Sequence, residues 1–398
     1  MARWWNPRSW RRTERRDTSY TPSYGLGWSS SGTIVNARMA ENLATVVACV
    51  NAIATGLSSL PACVYRVTDA GREESPNHPV ARLIRQPNAR QTWPDFIETV
   101  VGQVLLHGNA IAVLEYDGAG RPTGLIPVPW PNVIPVLLPS GRLAFDVVAY
   151  TAPWGGSGTP RRFLDSEVFH LKDRSDDGWL GRSRIGRAPD VLGAAVGLQT
   201  YSRAVWENAA TPSGALEVPP NISPEGMKRL ESFIADKYTG AHNGRRVMLV
   251  DSGTKWTPLS VSPEDAEVLD SRRFTVAELC RLFQVPPPLV QDYSHSTFTN
   301  AAQADLWFAR TSLQPWARKI EAEFARTVFN DPTGRFHLEI DFSAMTRGDY
   351  ATRWTANIAA VNAGILTRDE VREQEGYGPL PGGATQDAPP ADPTEGDN

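Results

Sequence analysis

A chain of 398 residues is long enough for roughly two or three domains, and its 41% apolar residues, with 13 tryptophans, can bury a core. This composition excludes a wholly disordered protein. The net charge of −4 excludes a protein that grips phosphates through a large overall excess of positive charge, so we expect any contact with DNA to be loose.

The two ends of the chain carry opposite charge. Residues 1–40 form a basic arm in which tryptophans lie between arginines. One interpretation of this arm is a mobile, solvated terminus, and the other is docking on nucleic acid or on a neighbouring subunit. Residues 382–398 contain acids, Pro and Gly but no Lys or Arg, and we expect a disordered acidic tail. In the docking interpretation the contacts come from Arg11, Arg12, Arg15 and Arg16.

Neither a secretory signal nor a membrane-spanning helix is expected. No apolar segment follows the Arg- and Trp-rich start of the chain. Residues 43–64 are uncharged and long enough to cross a bilayer, but their apolar positions recur at helical spacing with polar residues opposite. This pattern predicts an amphipathic helix that ends at Pro61.

Strands and helices are mixed in the remainder of the first half. A hairpin is predicted where Asp117-Gly118-Ala119-Gly120 separates two apolar runs. The predicted elements are a strand at 62–68, a helix at 93–107 ended by Gly108, hairpin strands at 110–116 and 125–128, and strands within 133–149 and around 168–171.

The second half alternates long helices with short strands. Ser262-Pro263-Glu264-Asp265 combines a capping serine with a proline and acids, which is typical of a helix start, and Pro286-Pro287-Pro288 ends that helix. Pro315 is expected to kink a later helix. The predicted elements are helices at 189–209, 223–238, 262–285, 301–329 and 350–363, strands at 214–218, 246–250 and 336–342, and a short turn capped by Thr367.

A polar segment at 291–300 is the most informative part of this half. It is rich in hydroxyl groups and contains no Lys or Arg. A channel that carries DNA must not neutralise phosphates strongly, because each neutralised phosphate adds an attraction that slows the polymer. An ordinary surface loop would have the same composition. The candidate channel-facing residues are Asp292, Tyr293, Ser294, His295, Ser296 and Thr297.

Motifs of known enzymes and metal sites are missing from the sequence. GxxxxGK[ST], HExxH and GxSxG do not occur, and the six histidines are scattered. Cys49, Cys63 and Cys280 lack CxxC spacing and are predicted to be reduced, buried thiols. Residues 173–178 begin like a calcium loop, but the twelfth position is Arg184 where a glutamate is needed. We therefore predict no catalytic residue, no metal and no cofactor.

Several short motifs, in a fixed order between residues 43 and 345, resemble the portal proteins of HK97-type tailed phages. None of these motifs is specific alone, but their order and spacing are. They are Val47-Ala48-Cys49-Val50, Ser59-Leu60-Pro61, Gly108-Asn109-Ala110, Pro212-Ser213-Gly214, Lys255-Trp256-Thr257-Pro258-Leu259, Ser262-Pro263-Glu264-Asp265, Phe283-Gln284-Val285-Pro286-Pro287 and Leu313-Gln314-Pro315-Trp316. The terminal arm and tail match no motif of the family.

The resemblance implies an α+β portal fold with a wing, stem helices, a β-α-β clip, a tunnel loop and a small helical crown. The implied division is a basic arm at 1–40, the wing at 41–186, a first stem helix at 187–208, the clip at 209–261, a second stem helix at 262–285, the tunnel loop at 286–300, a wing helix and strand at 301–345, the crown at 346–381 and the tail at 382–398.

The resemblance also implies a function and partners. Members of the family close into a ring of about twelve subunits at one capsid vertex, through which double-stranded DNA is packaged and ejected. The major capsid protein, the terminase and a head–tail adaptor are the implied partners, and no membrane is involved. The particle is a phage or a gene transfer agent, assembled in the host cytoplasm. The clip contact with terminase and adaptor is expected at Lys228, Arg229, Glu231 and Lys237.

An enzyme is the alternative to this interpretation. A chain tethered to nucleic acid or to a membrane by the arginine arm would need an active site of a kind that its motifs do not reveal. A cleft of converging titratable groups would distinguish it from a portal.

Overall fold

The protein is described by a computed structural model that covers residues 27–28, 34–69, 71–148, 160–207, 214–217, 225–226, 228, 232, 255–258, 264–293, 298–329, 331, 333–346 and 350–378. The chain forms two compact units, residues 1–340 and residues 341–398. No helix in the described ranges has the length and apolar character that crossing a membrane requires.

The helices of the first unit bury apolar stripes at helical spacing. One helix begins directly after Leu43, and its buried side chains include Val46, Cys49, Val50 and Ile53. This helix ends at Ser58, just before Pro61. The helices are α1 (Ala37–Ala40), α2 (Ala44–Ser58), α3 (Pro79–Arg85), α4 (Trp93–His107), α5 (Arg184–Arg187), α6 (Pro189–Glu207), α7 (Glu264–Phe283), α8 (Phe298–Phe308) and α9 (Gln314–Glu323).

The strands of the first unit pair antiparallel throughout the described residues. Three sheets have three strands each, in the orders β10-β5-β6, β7-β8-β9 and β13-β3-β4, and β1-β2 and β11-β12 form two-stranded pairs. The strands are β1 (Gly27–Trp28), β2 (Ile34–Val35), β3 (Ala62–Thr68), β4 (Gly71–Glu74), β5 (Asn109–Tyr116), β6 (Pro122–Val128), β7 (Val133–Leu137), β8 (Leu143–Val147), β9 (Arg161–Leu164), β10 (Val168–Lys172), β11 (Gly214–Glu217), β12 (Lys255–Pro258) and β13 (Phe336–Ile340).

The core of the first unit lies where α4 meets the sheets. Phe96 of α4 and Phe169 of β10 are fully enclosed, and their ring centroids lie 6.3 Å apart. Phe324 meets the ring of Phe169 edge-on at 5.2 Å, which joins the segment after α9 to the same core. A second cluster contains Ile111, Val113, Phe145 and Val168, so the β5 and β8 sheets share buried surface.

Strand β13 joins distant parts of the chain. It pairs with β3 from Phe336 opposite Arg66 to Ile340 opposite Ala62. Arg72 of the neighbouring strand β4 forms an ion pair with Glu339 at 2.6 Å. The predicted strand at 336–342 therefore forms, and it closes the sheet that begins after α2.

The long helix predicted at 301–329 differs from the prediction. It begins earlier, at Phe298, and wider π-helical turns at Ala309–Leu313 and Phe324–Phe329 interrupt it. Pro315 lies in the first turn of α9, where a missing N–H costs least, and the irregular turn lies directly before it. The departure from regular α-helix therefore lies in the turn before Pro315 and not at the proline itself.

Part of the predicted β-α-β insert lies within the described residues. Strand β11 forms as predicted, but its observed partner is β12 at Lys255–Pro258, where no strand was predicted. The strand predicted at 246–250 lies outside the described residues.

The second unit contains α10 (Ser343–Thr346), α11 (Tyr350–Asn362) and α12 (Arg368–Gln374). The predicted cap forms, since the Thr367 hydroxyl accepts from the N–H of Glu370 at 3.2 Å while the Glu370 carboxylate accepts from the N–H of Thr367. Arg353 of α11 pairs with Glu375 at 2.7 Å, which holds the two longer helices together.

Candidate functional site

The segment between α7 and α8 begins with a sharp change of backbone direction. Gln284, directly after α7, has a left-handed φ of 61°, and the N–H of Val285 donates to the carbonyl of Cys280 at 2.9 Å. Residues Pro287–Val290 form a 3₁₀ turn, and Gln291 again has a left-handed φ of 65°. The prolines and the two residues with a left-handed φ therefore fix the direction in which the chain leaves the end of α7.

Two side chains from distant elements hold the end of α7. The last carbonyl groups of a helix have no partner within it and must be satisfied from elsewhere. Arg184 of α5 donates from Nη1 to the carbonyl oxygen of Phe283 at 2.8 Å. The Ser312 hydroxyl, which is buried, donates to the carbonyl oxygen of Gln284. We call Arg184 and Ser312, together with Asp173, the α7 clamp.

The arginine of the α7 clamp is itself oriented by a buried ion pair. Its Nε atom lies 3.0 Å from Asp173 Oδ2, and the side chains of Arg184 and Asp173 are 14% and 9% exposed. The guanidinium carbon lies 5.6 Å from the ring centre of Trp316, and Lys319 Nζ lies 4.7 Å from the same ring. The clamp therefore connects β10, α5, α7 and α9.

The clamp explains the calcium-like run in the sequence. Asp173 and Arg184 are the first and twelfth positions of that run, and in the structure they pair with each other. A guanidinium thus neutralises the first carboxylate, where a calcium loop would use an ion. Asp176, farther along the run, pairs with Arg187 at 2.7 Å and with Arg182 at 3.4 Å, and these contacts lower the pKa of its carboxyl group.

The predicted channel residues lie partly within the described chain. Asp292 is half-buried, and Tyr293 is 63% exposed, the largest exposure among the aromatic side chains whose exposure is described. Because α8 begins at Phe298, the last three residues of the predicted polar segment are helical. Ser294, His295, Ser296 and Thr297 lie outside the described residues.

The other predicted contact residues fall mostly outside the described part of the chain. Lys228 is described, and it is exposed and helical. The remaining predicted contacts are Arg229, Glu231, Lys237, Arg11, Arg12, Arg15 and Arg16, and they lie outside the described residues.

Motif residues that are far apart in sequence meet around α2. A hydrogen bond between the thiols of Cys49 and Cys280, together with burial, raises the pKa of Cys49 and keeps it protonated. An added Cβ atom at Gly56 would lie 3.1 Å from a methyl group of Leu313, so α2 and the turn before α9 pack closely. Cys49 and Cys280 are buried, whereas Cys63, which was also predicted to be buried, is only half-buried.

The structure also explains why glycine and asparagine stand at positions 108 and 109. Gly108 has a left-handed φ of 82°, and a Cβ atom there would overlap with the backbone of Arg182 and Ser183. The buried Asn109 amide donates from Nδ2 to the carbonyl of Gly181 at 2.7 Å and accepts from its N–H at 2.8 Å. The backbone at Gly108-Asn109 therefore crosses closely over the backbone at 181–183, and this crossing fixes the loop that carries Asp173 and Arg184.

A buried histidine adjoins the crossing. His170 Nε2 lies 3.0 Å from Asn109 Oδ1, so this nitrogen donates to the amide oxygen. The His170 ring is buried and lies parallel to that of Trp130, and burial lowers the pKa of His170 to about 3. Within the described residues, no group of three His, Cys, Asp or Glu side chains could hold a metal ion.

Sequence reasoning missed the α7 clamp. Arg184 was considered only as the residue that rules out a calcium loop, and Ser312 was not singled out. The mismatch between Asp173 and Arg184 in the calcium-like run was the one sequence feature that could have indicated an ion pair.

Comparisons with known proteins give a consistent result. The family described as phage portal protein matches residues 44–376. The portal protein of Enterobacteria phage HK97 is 29% identical over 377 residues, which is 93% of this chain and 87% of that protein. The probable portal protein of Streptomyces phage phiC31 is 29% identical over 375 residues, or 92% of this chain and 81% of that protein.

The fold is shared with a solved particle structure. A chain in the neck of a native gene transfer agent particle, computed with C12 symmetry, aligns with a TM-score of 0.61 at 23% identity. The alignment covers 90% of this chain and 97% of that one. The predicted α+β fold is confirmed at the level of overall architecture.

Proposed function

This chain belongs to the phage portal protein family, and we propose that it closes into a ring of twelve copies, as the C12 neck assembly suggests, at one vertex of a capsid. The sequence resemblance to this family is thereby confirmed. The observation that carries the proposal is the family match over residues 44–376, together with a fold that aligns almost end to end with a subunit of a twelvefold neck. Different surfaces of neighbouring copies then meet around the axis.

In this proposal double-stranded DNA passes along the ring axis during packaging and ejection. The segment after α7 contacts the DNA through Tyr293 and the hydroxyl-rich residues that follow, without a Lys or Arg between 291 and 300. Since few phosphates are neutralised, the contact stays weak and the polymer can move. The α7 clamp supports this segment at its base, because it holds the carbonyl groups of Phe283 and Gln284.

The clip, residues 209–261, would protrude from the capsid and bind first the terminase and later a head–tail adaptor. Its described part includes the β11–β12 pair and the exposed Lys228. We assign the contact to the helix face that carries Lys228, Arg229, Glu231 and Lys237. The wing, at 41–186 and 301–345, would contact the major capsid protein.

The portal family is structural, and we propose that this chain catalyses no reaction itself. The energy for packaging would come from ATP hydrolysis by the terminase, because a phosphate-binding GxxxxGK[ST] loop does not occur in this sequence. We propose assembly in the host cytoplasm and a final place in the particle, of a phage or of a gene transfer agent.

Cryo-electron microscopy of the purified chain, combined with native mass determination, tests the proposed ring. Rings of about twelve copies with an axial opening are expected. A chain that stays monomeric at high concentration, both alone and with the major capsid protein present, would contradict the proposal.

A further inference from the structure

An apolar groove opens between the end of α7 and helix α8. Its volume is about 950 Å³, and its walls include Ala277 and Arg281 from α7 and Leu306, Trp307 and Arg310 from the opposite side. Trp307 is 50% exposed and Leu306 is 38% exposed. Large apolar side chains that line one groove and remain open to water mark a contact surface for another protein.

The groove is positively charged as well as apolar. Arg281 and Arg310 are both exposed, and neither forms an ion pair with another residue in the part of the chain that the structure describes. The residue of opposite charge is therefore expected on the partner that fills the groove. A helix with a small-residue face and an acid at one end has the shape and charge for this site.

The outer face of α6 has these properties. Asp190, Ala194, Gly197 and Tyr201 are all exposed, and their spacing of four, three and four residues puts them on one side of the helix. Apart from its own helix backbone and chain neighbours, a Cβ atom added at Gly197 would meet nothing within 4 Å, as is also true of Gly102 in α4. Glycine inside a helix costs about 1 kcal/mol relative to alanine, and no contact in the described chain accounts for this glycine. A close approach by another backbone would explain it.

We propose that the outer face of α6 of one copy packs into the α7–α8 groove of the next copy in the ring. This inference rests on the proposed ring and names the surfaces that form it. The two surfaces differ, as a contact that closes a ring by rotation requires.

The levels of the two surfaces also agree. Arg184, just before α6, bonds to Phe283 at the end of α7, so the first turn of α6 lies beside the last turn of α7. If the ring axis runs along these two helices, a rotation about it preserves height and brings Asp190 of one copy to the level of Arg281 of the next copy.

Replacing Gly197 with a large residue tests the contact. A Cβ atom added at Gly197 meets nothing within 4 Å in the isolated chain, and the side chain of Gly197→Leu would fill the space that the neighbour needs. We expect a folded chain that forms no rings, or needs at least a tenfold higher concentration to form them, by native mass spectrometry and electron microscopy. The matched control is Gly102→Leu, inside α4, where an added Cβ atom also meets nothing within 4 Å. This variant should form rings as the unchanged chain does.

The outcomes separate the interface from the ring. Rings formed by Gly197→Leu at the usual concentration overturn the proposed interface and leave the ring standing. An unchanged chain that never forms rings overturns the ring itself.

A cysteine pair gives a second test that does not depend on how Gly197→Leu folds. Gly197→Cys combined with Gln303→Cys, an exposed residue of the groove, should give a ladder of cross-linked oligomers under oxidising conditions. Gly102→Cys with Gln303→Cys and the unchanged chain, with its three native thiols, are the controls. A ladder no stronger than in these controls overturns the pairing of the two surfaces.

Discussion

Arg184 donates to the carbonyl oxygen of Phe283 at 2.8 Å, although the two residues are 99 positions apart in the chain. The same side chain pairs with Asp173, which is almost fully buried. The end of α7, from which the proposed channel segment departs, is therefore held by the loop after β10. The support of the end of α7 thus comes from a residue that is far away in sequence.

Replacing Arg184 with Met should destabilise the chain by about 3 kcal/mol, because Asp173 would keep a buried charge without its partner. Chemical denaturation measures the loss. The control is Arg318→Met, which removes an ion pair with Glu321 in which Arg318 is 70% exposed, and which should cost less than about 1 kcal/mol. Equal losses in both variants would show that the α7 clamp contributes little.

Gly108→Ala should be among the most damaging single-methyl substitutions in the first unit. The left-handed backbone costs about 1–2 kcal/mol for a residue with a Cβ atom, and overlap with the backbone of Ser183 adds to this. Gly102→Ala, in open space inside a helix, should instead stabilise the protein by up to about 1 kcal/mol. Thermal unfolding of the two variants compares them, and a stable Gly108→Ala chain would contradict the close crossing.

His170 should make stability fall as the pH drops below about 6.5. Burial lowers its pKa in the folded chain to about 3, so only the unfolded chain binds a proton between these values. The stability contributed by the neutral ring is complete above pH 6.5 and is lost as the pH falls toward 3. Between pH 7.5 and 5.5 this amounts to about 1.4 kcal/mol.

Denaturation curves at these two pH values measure the effect of His170. His170→Gln should lose about 1.4 kcal/mol less than the unchanged chain over the same interval. His107→Gln is a comparison at a less enclosed histidine whose pKa is also lowered by burial, so its effect has the same direction and is smaller. An identical pH dependence for His170→Gln and the unchanged chain would remove His170 as the cause.

Deleting residues 294–297 should leave rings intact but impair packaging or retention of DNA. The deletion removes three hydroxyl side chains and a histidine from the proposed channel segment, while the clamp at Phe283 and Gln284 remains. Electron microscopy checks the rings, and the length of protected DNA in assembled particles checks packaging. Full-length packaging by this variant would contradict the assignment of the segment to the channel.

Local sequence patterns predicted several elements well. The helix at 93–107 and the strand at 62–68 form with the predicted bounds. The bounds of the helix are set by an apolar stripe, a Thr92–Asp95 capping box and Gly108, all of which act within a few residues. Strand β9 was missed, since four residues beginning with two arginines become a strand only by pairing with β8. The same reason applies to β12, which contains Pro258 and pairs with β11.

The sequence by itself determined the helix and strand periodicity, the capped helix ends, the absence of Lys and Arg from 291–300 and the motif order that indicated the portal family. The tertiary structure alone decided which residues support that segment, since Asp173, Arg184, Ser312 and Phe283 lie on four separate parts of the chain. Periodicity and caps arise between neighbours a few residues apart, and the chain encodes them directly. The α7 clamp depends on how sheets and helices pack, and no local pattern records that packing.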